Sequence, residues 1–166
     1  MNRFKAPWEK SLWVMSAIGT AICLSISFFF LHAIPALCVY TADFWLGVLP
    51  LSFIAAAICF TIRGYSVSGD SILVERLFWS TRLPLAGLQS VQFMPDAMRG
   101  SIRTFANGGF FSFTGRYRNK LLGSYQAFVT DSKHSVVLRF PKRTVVLSPD
   151  PPEDFVQLLT PYAGNA

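Results

Sequence analysis

The sequence predicts two membrane-spanning helices followed by a small domain built mainly of β-strands. Two apolar runs near the N-terminus, 12–31 and 44–62, contain no Asp, Glu, Lys, Arg or His. About 20 helical residues cross the roughly 30 Å hydrocarbon core of a bilayer, so each run is long enough to span it. From residue 63 onward, apolar and polar residues alternate instead, which is typical of strands buried on one face. A helical stripe returns only at the end of the chain.

These patterns divide the chain into a tail at 1–10, a helical hairpin at 11–62, a domain at 63–162 and a short tail at 163–166. Lys and Arg occur in the first tail and in the domain, whereas the segment that connects the two apolar runs has none. Because Lys and Arg stay on the cytoplasmic side, we expect a multi-pass protein of the bacterial inner (plasma) membrane with both termini in the cytoplasm. The first run is longer than the apolar region of a cleaved signal peptide, which is the alternative.

Small residues recur at four-residue spacing on both runs: Ala17, Ala21, Ser25, Ser52 and Ala56. Small residues let helix backbones approach closely. This stripe therefore predicts packing within the hairpin or, alternatively, contact with a second copy in a homo-oligomer. Neither run carries the intramembrane charge that usually marks a transport path, so the hairpin is interpreted as an anchor.

Turn signals separate the strand-like runs of the domain. Turns are predicted at 68–70 and 80–82, and Pro95–Gly109 is predicted as a loop because it contains Pro and several Gly. The predicted strands are Tyr65–Val67, Ile72–Trp79, a run that ends near Leu85, Leu88–Phe93, Phe111–Tyr117, Gly123–Thr130, Val136–Phe140 and Thr144–Leu147.

The chain is predicted to close with one amphipathic helix. Asp150 offers a carboxylate at the N-cap, and Pro151 and Glu153 suit the first turn. The apolar stripe that follows consists of Phe155, Leu158, Leu159 and Tyr162. Acidic residues stabilise a helix N-terminus by themselves, so this acidic group is interpreted as capping and not as a catalytic pair.

The order of these elements resembles that of membrane-associated bacterial pleckstrin-homology-like (PH-like) domains. The resemblance covers about residues 63–162, and the residues that carry it are Gly64–Val67, Ile72–Trp79, Arg82–Leu85, Gly115, Leu122–Tyr125, Val129–Asp131 and Ser148–Asp150 before Phe155. It implies a bent barrel of about seven strands capped by a C-terminal α-helix, and it implies no catalytic residues. Phosphoinositide-binding PH domains hold phosphates with Lys and Arg around the first hairpin. Here that turn contains Asp70 and no base, so the usual headgroup site is expected to be absent.

Basic and aromatic residues interleave between positions 99 and 120, where no acid occurs. The basic residues of this segment are Arg99, Arg103, Arg116, Arg118 and Lys120. Arginine binds phosphate with two parallel hydrogen bonds, and exposed aromatic residues enter the headgroup layer, so one interpretation is a contact with anionic lipid. A second is that the aromatic residues fill the core beneath a solvated basic face. A third is that the segment binds an acidic protein partner.

The residues predict a membrane-anchored binding or scaffold module that engages a protein partner at the inner membrane. Anionic lipid and a role as a non-catalytic subunit of a membrane complex are the alternatives. The two histidines, His32 and His134, are predicted on opposite sides of the bilayer, so no Ser-His-Asp set can form. Cys23, Cys38 and Cys59 lack metal-ligand spacing. We therefore expect no enzyme activity, no cofactor and no metal. Attraction to anionic lipids accounts for the net charge of +6, so no nucleic-acid partner is expected.

Overall fold

A computed structural model describes residues 2–32, 42–108 and 110–164. Helix α1 spans Lys10–His32, and helix α2 spans Ala42–Cys59 and continues through Pro50. Both helices are long and apolar enough to cross a membrane, by length and composition, and they pack against each other. The sequence leaves 32–43 as the connection between the two helices. This connection is shorter at both ends, because His32 belongs to α1 and Ala42 begins α2. Cys38 lies outside the described residues.

Ten strands form two sheets in the part of the chain that the structure describes. They are β1 (Asn2–Lys5), β2 (Gly64–Ser68), β3 (Ser71–Glu75), β4 (Ser80–Pro84), β5 (Ser90–Phe93), β6 (Ile102–Gly108), β7 (Phe113–Asn119), β8 (Gly123–Val129), β9 (Val136–Phe140) and β10 (Arg143–Leu147). The first sheet has the order β1-β2-β3-β4 and the second the order β5-β9-β10-β8-β7-β6. Strands β8 and β10 pair in parallel. Helix α3 (Pro152–Leu159) and a 3₁₀ turn (Thr160–Tyr162) follow.

The main core lies between the two sheets and α3. The helix places Phe155 and Leu159 of the predicted stripe into it, next to strand residues such as Ile72 and Leu138. Tyr162 of that stripe instead lies in the 3₁₀ turn and is exposed. A buried hydroxyl network crosses this core, because Tyr65 Oη donates to the Phe128 carbonyl at 2.7 Å. A smaller core on the outer face of the second sheet is covered by the segment that follows β5.

The N-terminal tail contributes a strand to the domain. Strand β1 pairs antiparallel with β2, which places Phe4 opposite Tyr65. Phe4 is 9% exposed, and its ring centroid lies 5.0 Å from that of Phe155. At the end of the tail, the Glu9 carboxylate accepts hydrogen bonds from the backbone N–H (3.1 Å) and the hydroxyl (2.5 Å) of Ser132. The tail is thus held at two places on the domain.

Several local predictions are wrong. The loop predicted at 95–109 contains β6, whose hydrogen bonds come from β7. The turn predicted at 80–82 lies in β4, and the strand predicted to reach Trp79 ends at Glu75 because the Arg76 N–H closes a turn onto the Trp79 carbonyl at 2.9 Å. The N-cap of α3 is Pro151, without a side-chain cap. Asp150 instead donates its backbone N–H to the Lys5 carbonyl at 3.0 Å.

Candidate functional site at the helix–sheet junction

All five basic residues predicted between positions 99 and 120 are exposed, but they do not form one cluster. Arg116 and Arg118 alternate along β7 and therefore share one face of the sheet. The register places Phe105 opposite Arg116 and Ile102 opposite Arg118. Phe105 is 85% exposed and Ile102 is 72% exposed. These four residues, called the ribbon face below, combine two guanidinium groups with two exposed apolar side chains.

The other three basic residues lie at separate places. Arg103 faces Tyr117 across the β6–β7 ladder. Arg99 lies before β6 and lines a cavity of about 480 Å³ together with Asp96 and Tyr117. Lys120 lies in the turn between β7 and β8. Among the described residues, none of the five basic residues takes part in an ion pair.

The aromatic residues of the segment have three different environments. Phe113 and Tyr117 pack in the smaller core, as the core-filling interpretation expects. Phe105 is exposed on the ribbon face. Phe110 and Phe111, called the aromatic turn below, contact α2 and α1 respectively. The core-filling interpretation therefore applies to Phe113 and Tyr117 but not to Phe105, Phe110 or Phe111.

The aromatic turn packs tightly on both helices of the hairpin. The backbone N–H of Phe111 donates to Ser16 Oγ of α1 at 3.0 Å. The Phe110 ring stacks on Phe53 of α2 with centroids 5.4 Å apart. A Cβ atom at Gly19 would lie 2.6 Å from Cε2 of Phe110, so glycine is needed for the ring to approach α1. The sequence carried one signal of this contact, Ser16 and Gly19 about one turn apart, which lie outside the small-residue stripe predicted on α1.

A groove of about 780 Å³ separates the end of α2 from the β6–β7 ribbon. Phe53, Ala56 and Phe60 line the helix side, and Phe105 lines the sheet side. Among the described residues that line it, Arg103 is the one charged residue. The described walls are therefore mostly apolar with one cation, an arrangement that suits an amphiphile with an anionic group.

The turn between β2 and β3 is where a PH domain that binds phosphoinositides would carry bases. Here the turn is acidic, and its carboxylate is paired with an arginine. Arg82 of β4 forms an ion pair with Asp70 at 3.2 Å. The same guanidinium donates through Nε to Ser71 Oγ at 3.0 Å. Arg82, the base beside this turn, is thus already paired with a carboxylate.

Burial and hydrogen bonds shift the pKa values of Tyr117, Tyr125 and His134. Burial raises the pKa of Tyr117 to about 12, so its phenol stays protonated at neutral pH. Burial also raises the pKa of Tyr125, whose hydroxyl lies 2.6 Å from that of Ser101. His134 Nδ1 lies 2.7 Å from Asp131 Oδ2, and this hydrogen bond raises the pKa of His134. No group of three His, Cys, Asp or Glu residues within the described ranges could hold a metal ion.

Comparison with known proteins identifies the domain. Residues 63–161 match the family described as Bacterial PH domain, which is more than half of the chain. A comparison with curated proteins and with solved structures finds no significant match. The match begins just before β2 and ends within the 3₁₀ turn after α3. It confirms the resemblance and the fold class predicted from the sequence, with nine strands in the matched residues, and β1 outside them, in place of about seven. PH domains are generally non-catalytic binding modules. This chain belongs to the bacterial PH domain family.

Proposed function

We propose that the protein is a membrane-anchored binding module whose two helices cross the bilayer and whose PH-like domain lies at the cytoplasmic surface. The exposure of the hairpin supports the anchor. Phe28 and Phe29 of α1 are each 70% exposed, and Leu49 and Phe53 of α2 are about 60% exposed. Apolar surface in water is unfavourable by about 25 cal/mol per Å², and a surrounding bilayer would remove this cost.

The pairing of β1 with β2 is the observation that carries the proposed topology. Strand β1 ends before α1 begins, and β2 starts after α2 ends, yet Asn2–Lys5 forms a ladder with Gly64–Val67. Two strands of one ladder lie on the same side of a bilayer, so a chain that crosses in α1 returns in α2. The Lys and Arg residues are on this side, which the positive-inside rule assigns to the cytoplasm.

The aromatic residues near the start of α1 support a position of the domain close to the bilayer surface. The Trp8 and Trp13 rings lie 5.6 Å apart, and Trp8 also contacts Phe111 of the aromatic turn at 5.8 Å. Trp is enriched at the level of lipid headgroups. These contacts favour a domain that is held directly against the bilayer and not one that hangs from a flexible linker.

Anionic lipid is the ligand that the geometry favours. The aromatic turn packs on the apolar helices, and β7 then leads from it to Arg116. At about 3.3 Å per residue, the five steps from Phe111 to Arg116 span at most about 17 Å. The ribbon-face arginines would therefore lie near the headgroups of the membrane that α1 and α2 cross, with no carboxylate partner among the described residues.

A protein partner is the second candidate, and the edge position of β6 favours it. Strand β6 is the last strand of the second sheet, and Ile102 and Phe105 are exposed along it. An open strand edge with apolar side chains can accept a strand from another protein. A non-catalytic subunit of a membrane complex would use such an edge.

Lipid selectivity of the full chain in detergent tests the first candidate. Native mass spectrometry with added phosphatidylglycerol or phosphatidylcholine should show more anionic than zwitterionic lipid retained. The double substitution Arg116→Gln and Arg118→Gln should reduce this preference, whereas Arg139→Gln, an exposed arginine on β9, should not. Equal retention of both lipids by the unaltered protein would overturn the lipid proposal and leave the β6 edge to be tested by crosslinking in cells.

A further inference from the structure

The turn between β3 and β4 presents three consecutive apolar side chains outside the core. Leu77 is 40% exposed, Phe78 is 75% exposed and Trp79 is 40% exposed. The turn is well formed, because the Arg76 N–H donates to the Trp79 carbonyl at 2.9 Å. Runs of exposed apolar residues are unfavourable in water and usually mark a contact surface. We call Leu77–Trp79 the apolar turn.

The apolar turn is fixed to the residue that follows α2. The rings of Trp79 and Phe60 meet edge to face with centroids 5.0 Å apart. Arg76 Nη1 donates to the Phe60 carbonyl at 3.2 Å, which is one of the acceptors left open at the end of a helix. The depth of the turn therefore follows the depth at which α2 ends.

A cation with unusual surroundings lies at the base of the apolar turn. Arg76 is 9% exposed, its Nε has no hydrogen-bond partner, and no described carboxylate forms an ion pair with it. The guanidinium carbon lies 5.5 to 5.9 Å from the ring centroids of Phe60, Trp79 and Phe128. Cation–π contacts stabilise it in part. The negative surface potential of an adjacent layer of anionic lipid would favour this charge without direct contact.

We propose that the apolar turn inserts into the boundary between headgroups and acyl chains of the bilayer that α2 leaves, so that the domain has a third attachment besides the two helices. The partner is the lipid surface, since the turn adjoins the end of α2 and combines a Trp with exposed aliphatic and aromatic groups above a positive charge. The inference rests on the proposed function, because it needs α2 to cross the membrane.

Nitroxide accessibility in the full chain tests this insertion. In a variant with all three cysteines replaced by serine, Phe78→Cys would be spin-labelled and the protein reconstituted in vesicles that contain phosphatidylglycerol. Oxygen concentrates in the bilayer, whereas a water-soluble nickel chelate does not enter it. The ratio of oxygen to nickel accessibility should be several-fold higher at position 78 than for a label at Ser68→Cys, which is exposed at the end of β2.

A third label separates failure of this inference from failure of the anchor. Phe29→Cys in α1 should show the high ratio if the hairpin spans the bilayer. A high ratio at position 29 together with a water-like ratio at 78 would overturn the insertion and leave the anchor intact. Exclusion of both reagents at 78 would also overturn it, since a protein or a second copy would then cover the turn. A water-like ratio at 29 would overturn the proposed function itself. Because Phe78 is exposed, its substitution should not unfold the domain.

Discussion

The N-terminal strand should stabilise the domain as a core element. Phe4→Ala removes a ring that is 9% exposed and packs edge-on against Phe155 at 5.0 Å. Truncating a buried Phe costs about 3–5 kcal/mol. Strand β1 lies at the edge of the first sheet, where the surroundings can relax, so we expect the free energy of unfolding to fall by about 3 kcal/mol.

Pulse proteolysis of the full chain in detergent, across a urea series, measures this change in the domain. With a urea m-value of about 1.5 kcal/mol/M, a loss of 3 kcal/mol lowers the unfolding midpoint by about 2 M. The matched control is Phe105→Ala, because Phe105 is 85% exposed and its loss should change stability by less than about 0.5 kcal/mol. Equal midpoints for the two variants would show that β1 is not part of the folded domain.

Two further substitutions use the same assay. Tyr65→Phe removes the hydroxyl that donates to the Phe128 carbonyl at 2.7 Å and accepts from Ser148 N–H at 3.3 Å; unsatisfied buried groups cost about 1–3 kcal/mol, so the midpoint should fall by about 1 M, and an unchanged midpoint would refute the network. His134→Gln removes an imidazole whose pKa is raised by its hydrogen bond to Asp131. The protonated imidazole stabilises the fold below the unfolded-state pKa of about 6.5, and this stabilisation is lost as pH rises through the higher folded-state pKa. Because the His134 side chain is 55% exposed, the difference from the unaltered protein should be below about 1 kcal/mol at pH 6 and vanish by about pH 9; a difference independent of pH would contradict this origin.

Features that depend on local sequence were predictable. Helices α1 and α2 follow from uninterrupted apolar runs, and α3 follows from a stripe with helical spacing. Most strands after residue 63 follow from alternation and turn residues. Strand β1 was not predictable, because four residues rich in charge become a strand only through pairing with β2, about sixty positions later. The glycine-containing β6 likewise depends on β7 for its ladder.

The candidate site was predicted in composition but not in arrangement. That Arg116 and Arg118 share a face follows from their spacing on one strand. The separation of Arg99 from them depends on how the segment before β6 folds over the outer face of the sheet. The enclosure of Arg76 by three rings could not be predicted either, since Phe60 and Phe128 reach it from distant parts of the chain.

The ladder between β1 and β2 also sets an order of events during synthesis. A ribosome makes β1 first and β2 only after both helices have been made, so β2 is not yet available to β1 while the hairpin is being synthesised. Until β1 pairs, the outer edge of β2 stays open, and open strand edges invite wrong pairing. In the proposed topology, completion of the first sheet requires that the hairpin has returned the chain to its starting side. A folded domain would then mean that the hairpin had been inserted correctly.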